Sequence, residues 1–215
     1  MNQVNESEKV ILEELENLAK TLVWYSPSQI EIGQHLSDDG SYGDRPWSVS
    51  KETGKFLYDF IIKNKLSTVV ELGTSIGYSG TWIGLALKKL NTSGSKLYTV
   101  DKKEMKTEIA QKFFIKAGIK DYIESYNDDI STALPKIISS FQSGGADLIF
   151  FDANRSKYTE YLETLSPIIS HQTILLVDNA IDMRERLESF HQTLLKGGWK
   201  IETLTIGDGL WLCKK

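Results

Sequence analysis

The stretch STVVELGTSIGYS, residues 67–79, decides the fold of this chain. It begins as a short run rich in β-branched residues, which is typical of a buried strand, and continues into a turn that contains Gly73 and Gly77. The residues that follow, from Ser79 to about Leu90, have the length and composition of a helix. A strand, a tight turn and a helix in this order predict the first unit of a parallel sheet that is covered by helices on both faces.

Four apolar runs of the chain, the first of them in this stretch, each stop at an acid. Residues 67–70 precede Glu71, residues 96–100 precede Asp101, residues 148–151 precede Asp152, and residues 173–177 precede Asp178. In parallel sheets of this kind the ligand crevice lies at the carboxyl ends of the strands. The sequence therefore predicts four carboxylates around one crevice, which suits a polar, partly cationic ligand, a metal, or both.

The composition bounds the class of protein. A length of 215 residues predicts one large domain, or one domain with a helical extension. The net charge of -4 gives no electrostatic case for binding nucleic acid. Cys213 is the only cysteine and the start of the chain is polar and acidic, so we expect a cytoplasmic protein without a signal peptide. No apolar run is long enough to span a membrane.

The N-terminal part differs from the rest. Residues 6–24 carry apolar side chains at the spacing of one face of an amphipathic helix, namely Val10, Ile11, Leu15, Leu18, Leu22 and Val23. Residues 25–47 have no helical or strand period, and we interpret them as a lid rather than a plain connector because they carry Tyr42 and Trp47. We therefore divide the chain into residues 1–47, helix and lid, and residues 48–215. The first helix either serves a homodimer or packs on its own domain.

From Ser50 onward, helices and strands alternate regularly. Helices are predicted near residues 50–63, 79–90, 103–117, 130–141, 156–169 and 182–195, and two last strands near residues 199–204 and 210–214. The expected fold is a doubly wound α/β domain with a mostly parallel sheet.

The glycine-rich turn is not one of the common nucleotide-binding motifs. Gly73, Gly77 and Gly80 have the spacing GxxxGxxG, whereas dinucleotide binders have GxGxxG and P-loops end in Gly-Lys-Ser/Thr. Ser79 stands where a helix should begin, so it could cap that helix or bind a polar ligand group. Asp101 could accept both ribose hydroxyls of an adenosine, or be a solvated acid at the end of its strand.

Together these motifs resemble a known family. ELGTSIGYS at residues 71–79, followed by the acid of TVD at 99–101, is similar to the S-adenosylmethionine site of class I methyltransferases. The segments DLIFFDANRSKY at 147–158 and LVDN at 176–179 resemble those of the cation-dependent O-methyltransferases of the catechol and caffeoyl-CoA type. The resemblance runs from about Tyr42 to the C-terminus, and it implies a seven-stranded sheet.

The resemblance also implies roles for individual residues. Glu71, Gly73 and Ser79 would surround the methionine part of the cofactor, Asp101 would bind the ribose, and Asp129 would lie near the adenine. Ser50, Thr74, Ser75 and Asp152 complete the implied cofactor site. Asp152, Asp178 and Asn179 would hold a divalent cation, which we expect to be Mg²⁺ because a hard cation prefers oxygen ligands. Asp178 and Asn179 are also residues that favour a plain turn at the end of a strand.

The chain departs from the family pattern at Arg155. The family typically has lysine there, three residues after the first metal-binding Asp, as the proposed general base. Arginine stays protonated, so Arg155 cannot accept the substrate proton, although it can pair with an anionic oxygen. Lys157 follows at an offset of two, which points to another side of a helix. Residues 180–183, AIDM, also differ from the plant enzymes, so the wall that faces the substrate differs.

Four hypotheses follow. The first is a metal-dependent O-methyltransferase that acts on a small hydroxylated, aromatic molecule, with Arg155 and Asp152 as catalytic residues. The second is a methyltransferase without metal, and the third is a cofactor-binding protein with weak or lost catalysis. A nicotinamide-dependent dehydrogenase is the fourth, and the glycine spacing disfavours it.

Overall fold

A computed structural model describes residues 4–22, 46–141 and 144–215 of the chain. Its helices are α1 Glu6–Thr21, α2 Lys51–Asn64, α3 Tyr78–Leu90, α4 Glu104–Lys116, α5 Ile130–Ser139, α6 Tyr158–Thr164 and α7 Arg184–Lys196. Its strands are β1 Thr68–Leu72, β2 Lys96–Asp101, β3 Ile123–Asn127, β4 Leu148–Phe151, β5 Ile174–Asp178, β6 Lys200–Leu204 and β7 Leu210–Lys214. Apart from Pro46 and Trp47, the predicted lid lies outside the described residues.

The strands form one mixed sheet in the order β3-β2-β1-β4-β5-β7-β6. Strands β1 to β5 are parallel to one another, and β7 runs antiparallel to both β5 and β6. The predicted doubly wound, mostly parallel sheet is confirmed. Because the chain fills one side of β1 first and then crosses to β4, the carboxyl ends of β1 and β4 border the topological switch point, where sheets of this type bind ligands.

Alternate residues of the strands pack against helices on opposite faces of the sheet. Val69 belongs to a core cluster shared with Leu57 of α2 and Phe114 of α4, and Val70 belongs to a second cluster shared with Leu134 of α5 and Leu187 of α7. This double burial explains why the strands read as continuous apolar runs in the sequence.

Two details differ from the predicted elements. The buried face of helix α1 consists of Ile11, Leu12 and Leu15. Val10 was predicted to share this face, but it lies outside it and its side chain is 61% exposed. The predicted helix at 156–169 is three pieces: 3-10 turns at Arg155–Lys157 and Ser166–Ile168 flank α6. Pro167 has no backbone N–H and restricts the residue before it, so the helix does not continue through this point. No helix within the described ranges has both the length and the apolar character needed to cross a membrane.

Candidate active site

The glycine-rich turn is packed against the end of β4. Gly73 follows β1 with φ +108°, a conformation that L side chains rarely adopt. A Cβ atom at Gly73 would lie 2.0 Å from the carbonyl oxygen of Asp152. Glycine is therefore required at this position, and the turn that was predicted to meet the cofactor meets Asp152 at the switch point.

Ser79 does not cap α3. The helix begins one residue earlier, at Tyr78, and its N-cap is Gly77, which has φ +87° and makes no side-chain capping bond. Ser79 is buried in the first turn of the helix, and its hydroxyl favours the ionised form of Glu71. Of the two roles predicted for Ser79, the capping role is wrong and the ligand-binding role stays a prediction.

Glu71 lies inside β1, one residue before its end, and its side chain is fully buried. Thr99 donates a hydrogen bond of 2.5 Å to Glu71 Oε2, and since this uses the only hydroxyl hydrogen of Thr99, Thr74 donates the 2.6 Å bond to Thr99. Burial raises the pKa of Glu71 to about 7, although the hydroxyls of Ser79 and Thr99 oppose this. Glu71 Oε1 has no hydrogen-bond partner among the described residues.

Asp101 joins the glycine turn to the start of α4. It is the last residue of β2, and its two carboxylate oxygens each accept a backbone N–H at 2.9 Å, one from Ser75 and one from Lys103. Because the carboxylate is held from both sides, its remaining lone pairs have a fixed direction. The predicted neighbours Thr74, Ser75 and Asp101 are thus brought together with Glu71.

Asp129 lies one strand further along the sheet edge. It is exposed, and it caps α5 by accepting the backbone N–H of Ser131 at 3.0 Å. The adjacent Asp128 donates its own N–H to the carbonyl of Asp101 at 3.2 Å, which ties this loop to the end of β2. The structure places Asp129 beside the Asp101 loop, and in the described part of the chain the hydrogen bond of its side chain goes to Ser131 rather than to another predicted site residue.

Tyr158 fixes the loop after β4, a role that the sequence pattern did not predict. Its ring is buried against Phe151 and Phe190, and its hydroxyl both accepts the N–H of Ala153 at 2.8 Å and donates to the carbonyl of Ala153 at 3.1 Å. The loop that carries Asp152 is therefore anchored to the core. The sequence offered only one hint, a hydroxyl-bearing aromatic residue on the core face of a helix.

Asp178 is the last residue of β5, and Asn179 begins the turn that follows. This turn is hydrogen-bonded to the turn at residues 207–209. The backbone N–H groups of Ala180 and Ile181 donate to Gly209 at 2.9 Å and Asp208 at 3.1 Å. The 207–209 turn also lies against the N-terminus of α2. A Cβ atom added to Gly207 would be only 2.4 Å from Ser50 Oγ. Ser50 itself caps α2 by accepting the N–H of Thr53. Through this turn, Ser50 is connected to the loop after β5.

Arg155 lies between the loops after β4 and β5. Its guanidinium donates a hydrogen bond to the side-chain oxygen of Asn179. Burial raises the pKa of both Asp152 and Asp178, and in Asp178 the nearby charge of Asp152 adds to this effect, while the charge of Arg155 lowers both pKa values. Arg155 thus acts on all three residues that were predicted to bind metal.

These three residues fit a divalent cation only in part. Asp178 Oδ1 is buried without a hydrogen-bond partner, as a waiting ligand atom would be. The oxygen of Asn179, however, is taken by the guanidinium of Arg155, and a cation bound there would face another positive charge. Within the described ranges, no three His, Cys, Asp or Glu side chains are grouped to hold a metal. The arrangement as it stands does not fit the ion unless Arg155 moves, and the Mg²⁺ site stays a prediction.

Sequence comparisons show which proteins this chain is similar to. A family model described as O-methyltransferase matches residues 41–215. A catechol O-methyltransferase from Niastella koreensis is 31% identical over 134 residues, and the matched part spans 62% of this chain and 58% of that relative. A caffeoyl-CoA O-methyltransferase from Populus kitakamiensis is 25% identical over 188 residues, which cover 78% of each chain.

Solved structures share the fold. An O-methyltransferase from Streptomyces achromogenes, solved in complex with S-adenosylmethionine, has a TM-score of 0.67 at 20% identity, with 98% of this chain and 99% of that chain covered. An O-methyltransferase from Bacillus cereus, solved in complex with S-adenosylhomocysteine, has a TM-score of 0.67 at 19% identity, with 96% and 99% covered. These likenesses confirm the fold.

Proposed function

The chain belongs to the O-methyltransferase family, and from this premise we propose that it transfers the methyl group of S-adenosylmethionine to a hydroxyl of a small aromatic molecule of the catechol type. One observation carries the proposal: the β1 turn at Gly73, the buried Glu71 and the fixed carboxylate of Asp101 meet at the switch point of the sheet. The names of the two sequence relatives favour a catechol-like acceptor.

The acidic crevice suits this cofactor, whose sulfonium and amino groups are positive. Glu71, Asp101 and Asp152 interact electrostatically with one another, and such a cluster attracts a cationic ligand. In the proposed complex, Asp101 accepts the ribose hydroxyls and Asp129 lies near the adenine. Ser50, Glu71, Gly73, Thr74, Ser75, Ser79 and Asp152 line the rest of the cofactor site.

The transfer itself needs little covalent chemistry from the protein. A lone pair of the acceptor oxygen forms the bond to the methyl carbon, the carbon–sulfur bond breaks, and its electron pair returns to the sulfur. The hydroxyl proton leaves to solvent, and the products are a methyl ether and S-adenosylhomocysteine. The protein contributes by holding the two reactants in line and by excluding water. Arg155 cannot take the proton, but it can stabilise the oxyanion.

A methyl-transfer assay tests the proposal. The protein is incubated with S-adenosylmethionine that carries a labelled methyl group and with a set of catechols and other phenols, and mass spectrometry detects labelled ether and S-adenosylhomocysteine. We expect both products, and we expect Asp101→Ala to lower their yield at limiting cofactor. Binding of the cofactor without transfer to any acceptor would favour the cofactor-binding protein instead. Absence of both binding and transfer would contradict the proposal.

Magnesium-assisted transfer is the second candidate, and the unpartnered Asp178 Oδ1 beside Asp152 favours it. The ion would be held by Asp152, Asp178 and Asn179 after Arg155 has moved away, and it would make an acceptor hydroxyl easier to deprotonate. In that case Asp178→Ala should abolish metal-dependent turnover and spare cofactor binding. Equal turnover in the variant and the parent would exclude this candidate.

A further inference from the structure

Several charged side chains interact at the ends of β4 and β5. In the described part of the chain, the cationic side chain that acts on both Asp152 and Asp178 is Arg155. The nearby Lys157 is engaged elsewhere, because its Nζ pairs with Glu160 at 3.0 Å. The other charged groups that face this cluster, Asp101, Asp182 and Asp208, are acidic. Among the described residues, the cluster therefore holds the positive charge of Arg155 amid several acids.

The position of Arg155 is built into the backbone. It opens the 3-10 turn Arg155–Lys157, which Asn154 caps by accepting the backbone N–H of Ser156 at 3.2 Å and its hydroxyl at 2.9 Å. Ala153, two residues before Arg155, is held on both its N–H and its carbonyl by the buried Tyr158. The guanidinium is half-buried and donates to Asn179, while its Nε–H is buried and has no partner among the described residues.

A guanidinium at this point opposes the binding of a divalent cation. Both need the same oxygen of Asn179, and both are positive charges that the same two carboxylates would neutralise. Displacing Arg155 would break a bond from a charged donor and bring two cations close together in a partly buried site, where charges interact more strongly than in water.

We propose that Arg155 takes the place of a divalent cation in this chain, so that methyl transfer proceeds with no metal bound to Asp152, Asp178 and Asn179. This inference rests on the proposed function and deepens it. Because guanidinium pairs well with an oxyanion but never accepts a proton, the favoured acceptor is a phenol acidic enough to bind already ionised. Its proton has left to solvent before binding. The phenolate oxygen then forms the bond to the methyl carbon, while the sulfur keeps the electrons of the broken bond.

Manganese binding tests the proposal without relying on activity. Mn²⁺ alone is titrated into the full-length protein, and its free fraction is followed by electron paramagnetic resonance in the parent, Arg155→Ala and Arg186→Ala. Arg186 is an exposed arginine of α7, so its variant removes the same charge outside the cluster. We expect no saturable binding in the parent or in Arg186→Ala, and binding at least about tenfold tighter in Arg155→Ala, since the loss of a close positive charge favours the ion.

The outcomes separate this inference from the proposed function. Two results would overturn the role of Arg155. One is saturable Mn²⁺ binding by the parent that is lost in Asp178→Asn. The other is an Arg155→Ala variant that is folded by circular dichroism and still binds no Mn²⁺. If Arg155→Ala does not fold, the parent alone decides. A parallel calorimetric titration with S-adenosylhomocysteine reports on the proposed function: if it does not bind, that function fails whatever Mn²⁺ does. With an ionised phenol as acceptor, we expect turnover of the parent to stay within about twofold when chelator is added, and loss of turnover on chelation would contradict the inference.

Discussion

Thr99 donates a hydrogen bond of 2.5 Å to Glu71 Oε2 between two neighbouring parallel strands in the interior of the sheet. Thr74, from the glycine turn, donates in turn to Thr99 at 2.6 Å. This chain of hydroxyls carries hydrogen bonds from the glycine turn to a carboxyl that is removed from water. It satisfies one oxygen of Glu71 and leaves the other without a partner in the described residues.

We predict that Glu71 destabilises the ligand-free protein above neutral pH. Burial raises the pKa of Glu71 from 4.5 to about 7, so the folded state binds this proton more tightly than the unfolded state, and the resulting stability is present below pH 4.5 and lost as the pH rises through 7. Glu71→Gln should therefore exceed the parent in unfolding free energy by up to about 3 kcal/mol at pH 8.

Urea denaturation at pH 4.5 and pH 8 checks this prediction. The difference between Glu71→Gln and the parent should shrink toward zero at the lower pH. Glu108→Gln, at an exposed glutamate of α4, is the control for the substitution itself. A difference that is the same at both pH values would show that ionisation of Glu71 is not the cause.

Removal of the Asp101 carboxylate should weaken cofactor binding. Asp101→Ala leaves the N–H of Ser75 without its acceptor and removes the group proposed to bind the ribose. A loss of about 2 to 3 kcal/mol, or roughly thirtyfold or more in Kd, is expected for hydrogen bonds to a charged group. Calorimetry with S-adenosylhomocysteine measures it, with Asp121→Ala, an exposed acid in the turn before β3, as the control. An unchanged Kd would refute the role of Asp101.

Gly73 should tolerate no side chain. In Gly73→Ala, the Cβ would collide with the Asp152 carbonyl at a residue with φ +108°, so we expect a loss of several kcal/mol in stability, or a displaced turn and loss of cofactor binding. Gly94→Ala is a matched control, because Gly94 also has positive φ, at +79°, but no atom within 4 Å of the added Cβ. It should cost only about 1 to 2 kcal/mol. Equal thermal stability of the two variants would contradict the close approach.

Tyr158 should act through the position of the Asp152 loop. Tyr158→Phe keeps the buried ring and leaves both polar backbone groups of Ala153 unpaired, which should cost about 1 to 3 kcal/mol. Tyr122→Phe removes an exposed hydroxyl bonded to Asn91 and should stay within about 0.5 kcal/mol of the parent. Thermal denaturation compares the two. Similar small effects of both substitutions would show that the Tyr158 hydroxyl does not hold the loop.

Most of the fold could be predicted from the apolar runs that form the strands. A strand that is covered on both faces is apolar throughout, so the acids that end or follow β2, β4 and β5 are easily recognised in the sequence. Three of the four predicted acids, Asp101, Asp152 and Asp178, lie at the carboxyl edge of the sheet as expected. Glu71 is different: it lies within β1, because the Thr99 hydroxyl makes a buried carboxyl tolerable there. That pairing joins residues 28 positions apart, and no local pattern contains it.

The contacts of Arg155 could not be predicted from the sequence either. The residue type already excluded a general base at this position, but the direction of a long, flexible side chain depends on the loops that meet around it. Its bond to Asn179 arises because the β6–β7 turn holds the loop after β5 and Tyr158 holds the loop after β4. The cytoplasmic location, the lid function of residues 25–47 and a homodimer stay predictions.

Calorimetric titration of S-adenosylhomocysteine into the parent protein, first with chelator and then with Mg²⁺, is the decisive measurement for the proposed cofactor site. We expect saturable binding at one site per chain under both conditions, and we expect Asp101→Ala but not Asp121→Ala to weaken it. Absence of binding under both conditions would contradict the assignment of the glycine turn, Glu71 and Asp101 as the cofactor site.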